Sequence, residues 1–270
     1  MSPSDSPAVI AHRGCPERHP ENTRGAFRAA AAHADLIELD VRRCGSGELV
    51  VFHDDTLDRL LGVGGSVAET DLADLRSHSV LDSTERVPTL AEALAAIPAD
   101  TGVNVELKET GIAADVAACC GDAGNEILVS SFSETALEEW RAVADDPIAY
   151  VTADDDWDAA VETATELGCD ALHPQYDLVL GRESADDGNR GESADDGNRG
   201  ESADDGGDGG TGGGGDGERA PRARVAAAHD ADFAVNVWTI RSHDPVAPLC
   251  RAGVDGLIVD DWAYAEDRSR

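Results

Sequence analysis

Nine short runs rich in β-branched residues, most of them separated by alanine-rich stretches, constrain this chain more than any other feature. The runs are residues 8–12 (AVIAH), 36–41 (LIELDV), 49–53 (LVVFH), 103–108 (VNVELK), 127–132 (ILVSSF), 148–152 (IAYVT), 171–174 (ALHP), 234–239 (AVNVWT) and 256–260 (GLIVD). Helical stretches at 23–34, 89–97, 113–120, 134–144, 157–168, 222–231 and 245–253 lie between most of them. Strand and helix alternating this often build a parallel sheet. Nine strands are one too many for a closed eight-stranded barrel, and the surplus strand identifies itself. Only RRCGSGE separates 49–53 from the run before it. Parallel neighbours need a crossover of roughly a dozen residues, whereas a Gly-Ser-Gly link suits a hairpin. The expected fold is α/β, a (β/α)8 TIM barrel with a β-hairpin arm after strand 2, in a single domain spanning 1–270. An open doubly wound sheet is the competing architecture.

Residues 182–218 interrupt the alternation. GESADDGNR at 191–199 has a near copy before it and a degenerate copy after it, followed by GGTGGGGDGE. The nine-residue period carries almost no apolar side chain, so it cannot stack as a solenoid, and the segment is expected to be a disordered acidic repeat insert. Its aspartates lack the ligand spacing and closing glutamate of a calcium loop. Its glycines lack the GK[ST] of a phosphate loop.

The insert holds 12 acidic residues against 3 arginines, while the whole chain has a net charge of −34, so most of the acidity belongs to the rest of the chain. Such a charge repels itself at low salt and is screened in molar salt, where the Debye length is about 3 Å. Acidic excess with almost no lysine resembles proteins of salt-loving archaea. It disfavours nucleic acid and stable association with an anionic membrane as partners. The six cysteines form no CxxC pair and are expected to be reduced thiols. The start MSPSDSPAVIAHRG does not read as a signal peptide and no 18-residue apolar run occurs, which points to a soluble cytoplasmic protein.

The polar residues of the strands gather at one end. His12 ends the first run and Arg13 follows it. Glu38 and Asp40 lie two apart on the second, and Glu106 and Lys108 two apart on the fourth, so each pair shares a face. His53 and Asp54 end the hairpin arm. Polar residues at the carboxyl ends of several barrel strands are where such folds do chemistry. Three inward carboxylates cannot all stay ionised without a counter-charge. One divalent cation (Mg2+, Ca2+ or Mn2+) suits an all-oxygen set. Two histidines beside it suit general acid–base work. Lys108 is the only lysine among 21 basic residues. An ammonium and a guanidinium are not interchangeable at a phosphate site, so Lys108 is expected to serve one. An interior ion pair with Glu106 is the structural alternative.

The segments IAHRGCPERHPENTRGAF, IELDVRRCGSGELVVFHDDTLDR, VPTLAEAL, VNVELK, VNVWTI and GVDGLIVDD together resemble the glycerophosphodiester phosphodiesterase family, from about residue 8 to 262 apart from the insert. The resemblance implies metal binding by Glu38, Asp40 and Glu106, and catalysis by His12 and His53. It also implies phosphate contact by Arg13 and Lys108, a mouth lined by Glu21 and Asn22, and Trp238 packed on a glycerol moiety. The reaction it implies is metal-dependent hydrolysis of glycerophosphodiesters to glycerol phosphate and an alcohol, through a cyclic phosphate intermediate. A lipid-directed phosphodiesterase, of lysophospholipase D or phospholipase C-like type, and a catalytically silent phosphate-ester-binding barrel are the alternatives. TIRS stands where the family usually has TVN, and Val259, Asp260 and Asp261 stand near its usual TD-Pro. Those departures bear on substrate preference. His173 also ends a strand at this mouth. His19, His33, His78, His229 and His243 are expected to be solvated.

Overall fold

Eight parallel strands close on themselves in a computed structural model that describes residues 6–153, 156–182, 221–266 and 268. The nine strands are β1 (Ala8–Ala11), β2 (Leu36–Arg43), β3 (Leu49–Val51), β4 (Gly102–Leu107), β5 (Ile127–Ser131), β6 (Ile148–Thr152), β7 (Ala171–Pro174), β8 (Ala234–Ile240) and β9 (Gly256–Val259). The sheet runs β1-β9-β8-β7-β6-β5-β4-β2 and closes through a β1–β2 pairing. β3 lies outside the barrel, antiparallel to β2, with Val41 opposite Val51. The expected barrel and hairpin arm are therefore both present, and the open sheet is excluded. The acidic repeat at 182–218 lies, apart from Arg182, outside the described residues.

Strand periodicity sorts the side chains. Ile37, Leu39, Val41, Val103, Val105 and Leu107 join the main core beneath the helices. Glu38, Asp40, Asn104 and Glu106, between them, are buried on the opposite face, inside the barrel. The outer layer contains α1 (Arg24–Ala30), α2 (Asp58–Leu61), α3 (Leu72–Leu75), α4 (Leu90–Leu94), α5 (Ala113–Gly121), α6 (Glu134–Arg141), α7 (Trp157–Glu166), α8 (Tyr176–Leu180), α9 (Pro221–Asp230) and α10 (Val246–Ala252). α1 and α4 start one residue after the sequence reading because the first polar residue is a cap, and α6 starts where it was read. Thr23, Thr89 and Ser133 accept backbone N–H groups of the first turn, and Thr89 with Glu92 forms a capping box.

The periodicity reading missed α2, α3 and α8, which are too short to show a helical period. Two of these short helices belong to a second, smaller core over residues 44–87. It packs Phe52, Leu57, Leu60, Leu61, Val67, Leu75 and Val87 beside the arm. All six cysteines carry free thiols, as expected. Among the described residues no helix is long and apolar enough to cross a membrane.

Candidate active site

The barrel mouth is assembled by strand register. Asp40 on β2 stands opposite Glu106 on β4, with Glu38 opposite Asn104 one step below. Carboxylate oxygens of Glu38, Asp40 and Glu106 lie within 4.8 Å of one another, and all three residues are buried. Charge decides their states. Burial, Asp40 and Glu106 push the Glu38 carboxyl well above the usual carboxylate range. Burial would raise Asp40 too, but Lys108 and Arg13 outweigh it and hold that carboxyl well below the usual range.

Two cations enter from either side. Lys108 Nζ lies 3.1 Å from Asp40 Oδ1 and pairs with Glu106 Oε1. The interior ion pair anticipated as an alternative is thus present. Lys108 sits just past the end of β4, where the ammonium reaches both carboxylates. Arg13 is brought in by a kink: His12, Arg13 and Gly14 leave β1 as a short helical turn with Arg13 at φ +48°. His12 is therefore outside the strand in which the sequence placed it. Gly14 permits the kink. Its φ is +78°, and a Cβ there would lie 2.8 Å from the Ala26 side chain on α1. The turn aims the Arg13 N–H at Glu38 Oε2 (2.8 Å), its Nη1 at Glu21 Oε1 (3.0 Å), and its Nε at Asp40 Oδ2 (3.2 Å). Asn22, at φ +55°, donates from Nδ2 to Asp40 Oδ2 at 2.7 Å. A non-glycine residue held in the left-handed region costs about 1–3 kcal/mol. Arg13 and Asn22 are both held there by contacts to the carboxylates.

Each histidine is fixed in the same way. His12 Nδ1 meets Asp260 Oδ1 at 2.6 Å, and Asp260 Oδ2 accepts from Arg241 Nε at 2.9 Å. His53 Nδ1 meets Asp54 Oδ1 at 2.6 Å, and Asp54 Oδ2 accepts from Arg59 Nε at 2.7 Å. An ionised carboxylate can only accept, so Nδ1 carries a proton in both rings and Nε2 is left for proton transfer. Hydrogen bonds from His53 and Arg59 hold the Asp54 carboxyl low against burial. His12 and Arg241 do the same for Asp260. Burial, together with the neighbouring Lys108 and Arg13 charges, lowers His53.

The ten sequence-selected residues therefore divide. His12, Arg13, Glu21, Asn22, Glu38, Asp40, His53, Glu106 and Lys108 form one cluster. Trp238 reaches it through Phe132, whose ring stands edge-on to Trp238 at 5.6 Å and lies 5.8 Å from Lys108 Nζ. Trp238 is itself anchored by Nε1 to the His173 carbonyl at 2.7 Å. His173 is buried inside the barrel, where burial takes it down to about 3. It meets Asn236 at 3.0 Å, so it belongs to the barrel interior. Sequence reasoning missed the roles of Asp260, Arg241 and Arg59. Asp260 had been noted only as a departure from the family pattern, although its place one residue past β9 levels it with His12, one past β1. Of the histidines expected to be solvated, His33, His229 and His243 are exposed, and each also has a neighbour: His33 stacks on Trp262 at 4.5 Å, His229 pairs with Asp255 at 2.8 Å, and His243 stands edge-on to Tyr264 at 5.2 Å.

The carboxylate cluster is suited to a metal ion. Glu38 Oε1 is buried with no hydrogen-bond partner, and three hard oxygen donors converge where a cation would relieve their repulsion.

Residues 12–263 match the model of the glycerophosphoryl diester phosphodiesterase family. A glycerophosphodiester phosphodiesterase of Caldanaerobacter subterraneus is 36% identical over 154 residues, 50% of this chain and 62% of that relative. YhdW of Bacillus subtilis is 33% identical over 158 residues, 53% of this chain and 65% of that relative. The chain thus spans less than two thirds of the length of either relative. An Oleispira antarctica phosphodiesterase, determined in complex with the product sn-glycerol-3-phosphate, superposes with a TM-score of 0.73 at 24% identity, covering 96% of this chain and 94% of that one.

Proposed function

From the premise that this chain belongs to the glycerophosphoryl diester phosphodiesterase family, we propose that it hydrolyses glycerophosphodiesters to glycerol phosphate and an alcohol with the help of a divalent cation. One observation carries the proposal most of all. A buried carboxylate cluster with an unpaired oxygen is flanked by two histidines, each bound to a carboxylate through Nδ1 and each leaving Nε2 for proton transfer. Such a pair suits two proton transfers on opposite sides of a phosphorus centre.

Glu38, Asp40 and Glu106 would hold the cation. When bound, it would neutralise the charge of the phosphodiester and of the pentacoordinate transition state. Arg13 and Lys108 add fixed positive charge beside the phosphate. One histidine accepts the proton of a glycerol hydroxyl as that oxygen bonds to phosphorus. The other donates a proton to the alcohol oxygen as its bond to phosphorus breaks. The cyclic phosphate is then opened by water, with the two histidines exchanging roles, and each ring ends in its starting state. Trp238 and Phe132 supply the apolar wall on which the glycerol carbons rest. Mg2+, Ca2+ and Mn2+ all suit the oxygen ligands. Lys108 keeps an ammonium because a compact charge fits between Asp40 and Glu106, where the wider guanidinium fork does not. Lys108→Arg is expected to lower kcat/KM about tenfold, since about 1.4 kcal/mol of transition-state interaction is at stake.

Glycerol phosphate release from glycerophosphocholine and glycerophosphoethanolamine, in molar KCl with each cation in turn, tests the proposal. Release that requires both the cation and His53 supports it. No release by folded wild-type protein, with the cation bound, would sink it in favour of a lipid substrate or binding alone.

A further inference from the structure

Arg59 ties the arm to the barrel mouth through charge on both sides. It lies on α2, just before the buried Leu60 and Leu61 of the smaller core, and Gly62 ends that helix at φ +68°. Its guanidinium makes two forks. Nε and Nη2 reach Asp54 Oδ2 and Oδ1 at 2.7 and 2.9 Å. Nη1 and Nη2 reach Glu21 Oε2 and Oε1 at 2.7 and 2.8 Å. Both carboxylates lead inward. Asp54 holds His53 Nδ1 at 2.6 Å. Glu21 holds Arg13 Nη1 at 3.0 Å, and Arg13 Nε stands 3.2 Å from Asp40. The contacts form an unbroken path from His53 through Asp54, Arg59, Glu21 and Arg13 to Asp40.

We propose that Arg59 is a positioning residue that sets both His53 and Arg13, so that the arm and the barrel present their active-site groups in one fixed relation. The proposal rests on the hydrolase reading above. A guanidinium suits the task because it can fork two carboxylates at once; an ammonium cannot hold both in plane. Removing it leaves Asp54 with His53 alone and Glu21 with Arg13 alone. The His53 ring then loses its fixed tilt, and Arg13 loses the brace that keeps its Nε on Asp40. Arg241 is the counterpart on the other histidine, where its Nε donates to Asp260 Oδ2 at 2.9 Å.

The test uses the full chain in molar salt with Mg2+. The imidazole Nδ1 proton of His53 is followed by NMR in wild type, Arg59→Lys, Arg59→Gln and Arg241→Gln. Both Arg59 variants are expected to broaden or shift the His53 signal and spare that of His12, and Arg241→Gln to do the reverse. In turnover, Arg59→Gln is expected to cost about 10- to 100-fold in kcat, part of what a positioned acid or base supplies. Asp54→Asn added to Arg59→Gln should cost far less than the product of the two single losses, because both act on one ring. Equal shifts of both histidine signals, or multiplicative losses in the double variant, would overturn the proposal. The signal readout needs no substrate, so an inactive wild type would refute the hydrolase reading without touching this one. Where Arg59→Gln fails to fold, Arg59→Lys keeps the charge and removes only the second fork.

Discussion

The two histidines at the mouth are held alike but assembled differently. His12 takes its carboxylate from Asp260, 248 residues away in the chain. His53 takes its own from Asp54, the next residue. The first pair exists only because β1 and β9 are neighbours in a closed barrel, in register from Ala8 and Gly256 to Ala11 and Val259. The second exists wherever the arm folds. Closure and a local turn thus reach the same geometry, a 2.6 Å contact at Nδ1 with an arginine behind the carboxylate. The barrel's histidine depends on the whole fold. The arm's histidine depends on a small core of its own and on Arg59.

The comparison breaks first on the histidines themselves. His12→Ala and His53→Ala are each expected to cut kcat by about 10²–10⁴. The double variant should fall little further than the weaker single, because both serve one proton circuit. Steady-state turnover that leaves one single variant with more than a tenth of wild-type kcat would remove that histidine from the pair.

Asp40 is the carboxylate that Lys108 and Arg13 keep ionised against burial, and the charge around it supplies the next contrast. Mg2+ at about 100 times its Kd is expected to stabilise the fold by about 2.7 kcal/mol. That raises Tm by roughly 5–10 °C in a domain of this size. Glu38→Gln should abolish the rise in a thermal melt, and a chelator should remove both the rise and turnover.

Smaller and more telling is the exchange of the carboxylate behind each ring. Asp260→Asn and Asp54→Asn each lose the fixed Nδ1 proton and are expected to cost about tenfold or more in kcat, about 1.4 kcal/mol. Their effects on stability should differ. Asp260→Asn disturbs the closure between β1 and β9, whereas Asp54→Asn is felt within the arm. Equal Tm losses in the two variants would erase the distinction.

His173 is the control, a third histidine with no carboxylate. Burial holds it neutral in the folded chain down to about 3, while the unfolded chain takes up a proton near the ordinary value of 6.5. Between those two pH values the unfolded state binds more protons, so stability falls as the pH falls, by at most about 1.4 kcal/mol per unit. Denaturant midpoints between pH 7 and pH 5 should show that slope, and His173→Gln should flatten it. An unchanged slope in the variant would mean that the carboxylates alone carry the acid sensitivity.

Much of this was legible in the chain because its causes are local. A period of two places Glu38 with Asp40, and Glu106 inward between Val105 and Leu107. A seven-residue link admits a hairpin and no crossover, and β3 is that hairpin. The lone lysine stood out on composition, and the fold puts it between two of the three carboxylates. What stayed hidden has causes that no local pattern records. α2 and α3 are single turns held by the smaller core, and nothing in a four-residue run announces a helix. Asp260 read as a departure from a motif until β9 came to lie beside β1. Arg59 read as one more arginine in an acidic chain until α2 set it between Glu21 and Asp54. Strand spacing and link length are properties of neighbours along the chain, so the sequence alone determined which face each carboxylate takes and where the arm turns back. Pairings across 38 residues, as in Arg59 with Glu21, and across 248, as in His12 with Asp260, exist only once burial and closure have brought distant segments together, so the tertiary structure alone decided them.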